Sequence, residues 1–228
     1  MLLPHLNSQS NLAALLMVLR VALMYEGCLR WSDLHQLTFG NCTQTPVSLR
    51  LCIPAAKTDP QHQGLWATIP ASSDPLSAYM LYTLALHTLT TTWEHASLPQ
   101  RKAIMNTSDD TLPHSFPTPH TSLILSTDQA GELPRSCPLI SYHAFLSVLK
   151  RWAQPLGLQP SDIGTHSLRR GLSSDWALLG IAPHIRRIHG RWKSSLVADS
   201  YIGTETQSEL SLQAFAKARG TIHSLSTV

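Results

Sequence analysis

Five side chains in this 228-residue sequence have the types and positions to handle a phosphate group: Arg30, Lys57, His166, Arg169 and Tyr201. His166 and Arg169 are three apart, which puts them on one face of a helix, in its first turn if Thr165 caps the start. That end of a helix is positively polarised. An imidazole and a guanidinium placed there make a ready anion site. Arg30, just before another expected helix, can supply a second bidentate clamp. Lys57, near a turn-rich tip, can reach a leaving oxygen as an acid. Tyr201 offers a phenolic oxygen as nucleophile.

The elements that must position these groups follow from periodicity. Asn11 to Glu26 reads as an apolar helix that Ser8 or Ser10 can cap and Gly27 ends. Trp31 to Leu37 reads as a short second helix. Val47–Ile53 alternates apolar and polar residues as a half-buried strand does, and Leu65–Ile69 is its partner across the tip at 57–64. Asp74-Pro75 opens a long helix to about His95. Residues 97–138 hold six prolines and no clear period, so an irregular insertion is expected there. Ser141 to Gln154 is an amphipathic helix with Phe145, Leu146, Leu149 and Trp152 as its stripe. Further helices are expected from Thr165 to Leu179, Pro183 to His189, Ser195 to Ile202 and Ser208 to Lys217. The fold class is mainly α with a small antiparallel β-hairpin or sheet (α+β).

Composition narrows the class. Hydrophobic residues make up 43% and charged residues 14%, too apolar for a disordered chain. The run Leu12 to Ala22 contains Arg20 and is shorter than a membrane span requires, and the start lacks a secretory signal pattern. Cys28, Cys42, Cys52 and Cys137 form no CxxC pair and read as buried thiols of a reducing compartment. The 12 histidines are scattered without metal-ligand spacing, so no metal is expected. Charge is uneven. Residues 1–149 carry 7 Lys/Arg and 9 Asp/Glu, whereas 150–228 carry 10 and 5. A basic half points to a polyanion such as nucleic acid, although a solvated helical face accounts for the same charges.

The ordered set of residues resembles the tyrosine recombinases, the phage-integrase-like DNA strand transferases, over about residues 10–220. Glu26-Gly27-Cys28-Leu29-Arg30-Trp31-Ser32-Asp33 resembles the family's first arginine box, and Lys57 follows Arg30 by 27 residues, like the family's β-hairpin lysine. Thr165-His166-Ser167-Leu168-Arg169-Arg170 resembles the His-x-x-Arg box. Gly190-Arg191-Trp192 lies where the family has histidine or, as in Cre recombinase, tryptophan. Tyr201 follows Trp192 by nine residues. The Gly-Arg-Trp form is closer to crypton-type mobile-element recombinases than to the bacterial Leu-Gly-His form.

The resemblance implies strand cleavage and rejoining through a 3′-phosphotyrosine, as in site-specific recombination or mobile-element integration. Arg30 and Arg169 would clamp non-bridging oxygens, His166 would accept a proton, and Lys57 would protonate the departing 5′-oxygen. Trp192 would donate its indole N–H, and Asp33 would orient a neighbour. Arg170, Arg186, Arg187, Arg191 and Lys193 are further candidates for DNA contact. No cofactor is implied. The implied partner is double-stranded DNA, bound by a homo-oligomer (a tetrameric synapse) inside the cell, in the nucleus for a crypton-like chain. The expectation is a single catalytic domain over 1–228, without the family's N-terminal core-binding domain, ending in a C-terminal helix and tail over 204–228. Two rivals stand beside it: a DNA-binding protein that no longer cleaves, and a type IB topoisomerase-like enzyme. Singly, the residues also have plain structural roles: Trp192, Tyr201 and His166 as core, Lys57 as a turn residue, and Arg30 with Asp33 as a surface pair.

Overall fold

The computed structural model describes residues 12–54, 64–105, 112–125, 133, 139–203 and 206. Lys57, Cys137, the caps Ser8 and Ser10, and the expected helix Ser208–Lys217 lie outside these. Eight helices and three strands are described: α1 Leu12–Glu26, α2 Trp31–Gln36, β1 Cys42–Thr45, β2 Ser48–Ile53, β3 Leu65–Pro70, α3 Ala78–His95, α4 Leu98–Met105, α5 Tyr142–Ala153, α6 Thr165–Leu178, α7 Pro183–Gly190 and α8 Ser195–Asp199. The architecture is mostly helical with one small antiparallel sheet. Among the described residues no helix is long and apolar enough to cross a membrane.

α1 is apolar nearly all round, so it sits at the centre, with Leu15, Leu16, Leu19, Leu23 and Met24 buried. It packs against α3 on one side and α6 on another. The sheet has the order β1-β2-β3, and Leu49, Leu51 and Ile53 of β2 face the core with Ala67 and Ile69 of β3. The β2–β3 register runs from Ser48 opposite Pro70 to Ile53 opposite Leu65. Ser141 caps α5 by accepting from the Ala144 N–H, and Phe145, Leu149 and Ala153 form its buried stripe.

Several boundaries differ from expectation, each for a local reason. β1 was not foreseen. Three of its four residues are polar, and it forms as an edge strand paired to β2 from Cys42–Leu51 to Thr45–Ser48. The long helix starts at Ala78 rather than at Asp74-Pro75, because Ser77 takes the cap, accepting from Met80 N–H, while the Glu26 carboxylate accepts from Ala78 N–H at 2.9 Å. Gly164, not Thr165, caps α6, and its N–H donates to Ser167 Oγ at 3.0 Å. The last described helix, α8, stops at Asp199, so Tyr201 stands in the turn that follows.

The described parts of residues 97–138 are less irregular than their composition implies. They contain α4, and residues 112–125 contribute Phe116, Leu123, Ile124 and Leu125 to the core. Phe116 stacks on Trp93 at 5.5 Å. The buried Arg20 of α1 holds this segment: its Nε donates to Leu123 O at 3.2 Å and its Nη2 to Leu125 O. Among the described residues no carboxylate accompanies these bonds, and burial pulls the Arg20 guanidinium down to about 9.

Candidate functional site

Three stretches far apart in sequence converge at one end of α6. The first is the turn from α1 into α2. Cys28 takes a left-handed backbone conformation there, φ 48°, and this swings the chain so that Arg30 precedes α2. The Arg30 N–H donates to Asp33 Oδ2 at 3.0 Å, and Asp33 is almost fully buried. This is the local capping bond that a residue three positions into a short helix can provide.

The second stretch is the first turns of α6. Arg169 is completely buried. Its Nη1 donates to Cys28 O at 2.5 Å and its Nη2 to Gly190 O. Its Cζ lies 4.8 Å from the Trp192 ring and 5.6 Å from the Tyr201 ring, close enough for a cation–π attraction. His166, one turn earlier, is exposed. The two residues share a helix end but not a depth.

The third stretch runs from the end of α7 to the turn after α8. His189 Nε2 donates to Glu26 O at 2.6 Å, with its ring 4.5 Å from Trp176. Arg191, left-handed at φ 54°, spreads its guanidinium over Gly27 O (3.1 Å), His189 O (3.1 Å) and Cys28 O (2.8 Å), and pairs with Asp33 at 3.6 Å. Trp192 is buried and its ring lies 5.0 Å from that of the half-buried Tyr201. Gly190 is required beside it: a Cβ there would fall 2.1 Å from Trp192 Cζ3. The turn that carries Tyr201 is fastened to α6, since Gly203 N–H donates to Ser174 Oγ at 3.1 Å.

Electrostatically the site is a cluster of cations around one carboxylate. Burial is the first cause lowering Arg169 and Arg191, the latter to about 10; Arg30 lowers both further, and Arg169 also lowers Arg191. Asp33 and Cys28 act in the opposite sense on both arginines. Burial likewise raises the Cys28 thiol, against the pull of the three arginines, so the thiol stays protonated and gives little compensation. Four buried N–H groups here have no partner among the described residues: Arg30 Nη1, Arg169 Nε, Arg191 Nε and Trp192 Nε1. Buried donors are nearly always satisfied, so unpartnered donors beside uncompensated guanidiniums can accept an anion.

Among the described residues, the structure thus brings together Arg30, Asp33, Arg169, Trp192 and Tyr201. His166 stays at the exposed rim, and Lys57 lies outside the description. The basic residues expected to face DNA divide. Arg170 and Lys193 are exposed and Arg187 is half-buried. Arg186 is buried, donating from Nε to Ile181 O (3.2 Å) and from Nη2 to Asp199 (2.9 Å). It braces α7 to α8 and does not face solvent. Arg191 also points inward. Spacing alone does not tell an outward arginine from one that meets backbone carbonyls. Cys28 and His189 were not anticipated as part of this cluster, though both flank the arginine and tryptophan boxes in sequence.

No family model matches the chain, and no curated protein matches it. Among solved structures, it is similar to XerH site-specific recombinase bound to a palindromic difH substrate, a post-cleavage complex. Identity is 13% and the TM-score 0.56, over 91% of this chain and 48% of that one. A weaker likeness is to the Tn1549 transposon integrase with circular-intermediate DNA, at 13% identity and TM-score 0.43, over 83% of this chain and 54% of that one. The chain thus spans about half the length of the proteins it matches. At this identity the likeness to XerH is one of fold.

Proposed function

We propose that this chain, which folds as a tyrosine recombinase catalytic domain, cleaves and rejoins DNA strands with Tyr201 as the nucleophile. The observation that carries the reading is the cation cluster beside Tyr201 with, among the described residues, the buried, unpartnered N–H groups of Arg30, Arg169 and Trp192. A phosphodiester is the anion such a cluster fits, and its charge grows on the non-bridging oxygens as phosphorus becomes five-coordinate.

In the reaction the Tyr201 oxygen bonds to phosphorus while the bond from phosphorus to the 5′-oxygen breaks. This leaves a 3′-phosphotyrosine and a free 5′-hydroxyl. The phenolic proton needs an acceptor, since a free phenol ionises near pH 10. The rim residue His166 takes that role, and Lys57 returns a proton to the leaving oxygen. Arg30 and Arg169 hold the non-bridging oxygens, and the Trp192 N–H adds a donor while its ring packs Tyr201. Rejoining is the reverse attack by a 5′-hydroxyl. The substrate is double-stranded DNA, exposed Arg170 and Lys193 contact its backbone, and a homo-oligomer assembles on it in site-specific recombination or mobile-element integration.

The test is covalent trapping. The 228-residue chain is incubated with a pool of nicked duplexes of randomised sequence, quenched in detergent, and resolved beside a Tyr201→Phe control. A protein–DNA adduct lost in the control supports the reading. Salt-sensitive DNA binding with no adduct refutes it in favour of a non-cleaving DNA-binding protein.

A further inference from the structure

We infer that Arg191 is a positioning residue for the phosphate clamp, acting through Asp33 and the Gly27–Cys28 turn to fix Arg30; this inference rests on the strand-cleavage reading. Arg191 spends its two terminal nitrogens on three backbone carbonyls, those of Gly27, Cys28 and His189, and stands 3.6 Å from Asp33 Oδ2. The same carboxylate oxygen accepts the Arg30 N–H. Cys28 O accepts from both Arg191 and Arg169, so one peptide carbonyl sets the distance between the second clamp arginine and the turn that carries the first. Its neighbour His189 bonds Glu26 O. The end of α7 is therefore stitched to the carbonyls of residues 26, 27 and 28 in succession.

The backbone points the same way. Arg191 occupies a left-handed conformation, φ 54°, where glycine is the residue of least cost. Cys28, its acceptor, is left-handed as well. A side chain held against that preference, and emptied of terminal donors by main-chain carbonyls, serves geometry. Among the described residues only its buried Nε lacks a partner. Charge alone does not explain the fan of bonds, since a lysine would supply the charge without spanning three carbonyls.

The test compares Arg191→Gly and Arg191→Lys in the full chain. Glycine suits the left-handed backbone, so Arg191→Gly separates loss of the side chain from backbone strain. In the free protein, amide hydrogen exchange at Leu29 and Arg30 is expected to speed up at least about tenfold in both variants, while amides of α3 and α5 stay as in the parent. With nicked DNA at saturation, adduct formation is expected to slow about a hundredfold, the scale of a clamp misplaced by ~1 Å, with DNA affinity within about threefold. The double variant Arg30→Ala/Arg191→Gly should be no slower than Arg30→Ala alone, because Arg191 acts through Arg30.

Unchanged exchange at Leu29 and Arg30, full rescue by lysine, or multiplying effects in the double variant would each overturn the inference. If the parent chain forms no adduct, the strand-cleavage reading has failed by itself. The exchange measurement then still decides whether Arg191 fixes the turn.

Discussion

Replacing Gly190 with alanine separates activity from stability in a way the site geometry fixes in advance. The added methyl carbon would lie 2.1 Å from Cζ3, 2.2 Å from Cε3 and 2.5 Å from Cη2 of Trp192. Carbon atoms attract at about 3.5–4.0 Å, so the ring must withdraw by more than about 1 Å. It has little room to do so. Trp192 is buried, with the Arg169 guanidinium 4.8 Å from its ring centre on one side and the Tyr201 ring 5.0 Å away on another. Overpacking of this kind costs about 1–3 kcal/mol, and alanine regains about 0.5–1 kcal/mol over glycine in a helix. The net loss in denaturant unfolding is therefore about 0–2.5 kcal/mol. Moving the nucleophile or its clamp by ~1 Å costs about a hundredfold in rate, or ~2.7 kcal/mol at 1.36 kcal/mol per tenfold. Single-turnover adduct formation on nicked DNA should thus fall further than stability does. Gly164→Ala is the steric control, because nothing lies within 4 Å of the new methyl; as a change at the α6 cap it should cost about 0.5–1 kcal/mol of stability and leave the rate within about threefold of the parent. A Gly190→Ala rate within about threefold of the parent would refute the claim that Trp192 is wedged between the clamp and the nucleophile.

Other perturbations follow from the same contacts. Arg20→Met strands the carbonyls of Leu123 and Leu125, each costing about 1–3 kcal/mol. Relief from burying the cation offsets part of this, so urea unfolding should show a loss of about 2 kcal/mol; an unchanged midpoint would count against the anchor. His189 is held below its ordinary value of 6.5, chiefly by burial. Below that pH the unfolded chain binds the proton more readily, so its contribution to stability is complete above pH 6.5 and is lost as the pH falls beneath it. In melting curves the acid limb should be shallower in His189→Gln than in the parent, and equal slopes would refute this. Asp199→Asn removes the carboxylate that receives the buried Arg186. Because Asp199 is partly exposed, the stability loss should be about 1 kcal/mol or less, read by denaturation, while adduct formation falls as the turn holding Tyr201 loosens.

Arg30, Arg169, Trp192 and Tyr201 were singled out through the resemblance to the tyrosine recombinases' ordered boxes, and the fold brings them to one place. What could not be read was direction. Arg186 and Arg191 look like Arg170 and Lys193 in a string of letters, yet the first two turn inward because carbonyls and a carboxylate await them there. Those acceptors are mostly main-chain atoms, which no residue name encodes. Residues 112–125 escaped notice for a related reason. Phe116 and Leu123–Leu125 enter the core without helical or strand periodicity, held by an arginine about a hundred positions earlier. β1 was missed because its polar residues pair only once β2 supplies the register.

The carbonyl acceptors also set how substitutions will be tolerated. Arg20, Arg169 and Arg191 bind Leu123, Leu125, Gly190, Gly27 and Cys28 through oxygens that every residue type possesses. A change at Leu123 or Leu125 leaves the acceptor in place, whereas a change of Arg20 removes the donor. Saturation mutagenesis should therefore be one-sided, intolerant at the arginines and permissive at those partners wherever packing allows. Paired substitutions, the usual footprint of two residues in contact, will be missing at these joints. Alignments of related chains would then show the arginines as isolated fixed positions, although each one joins two distant parts of the fold.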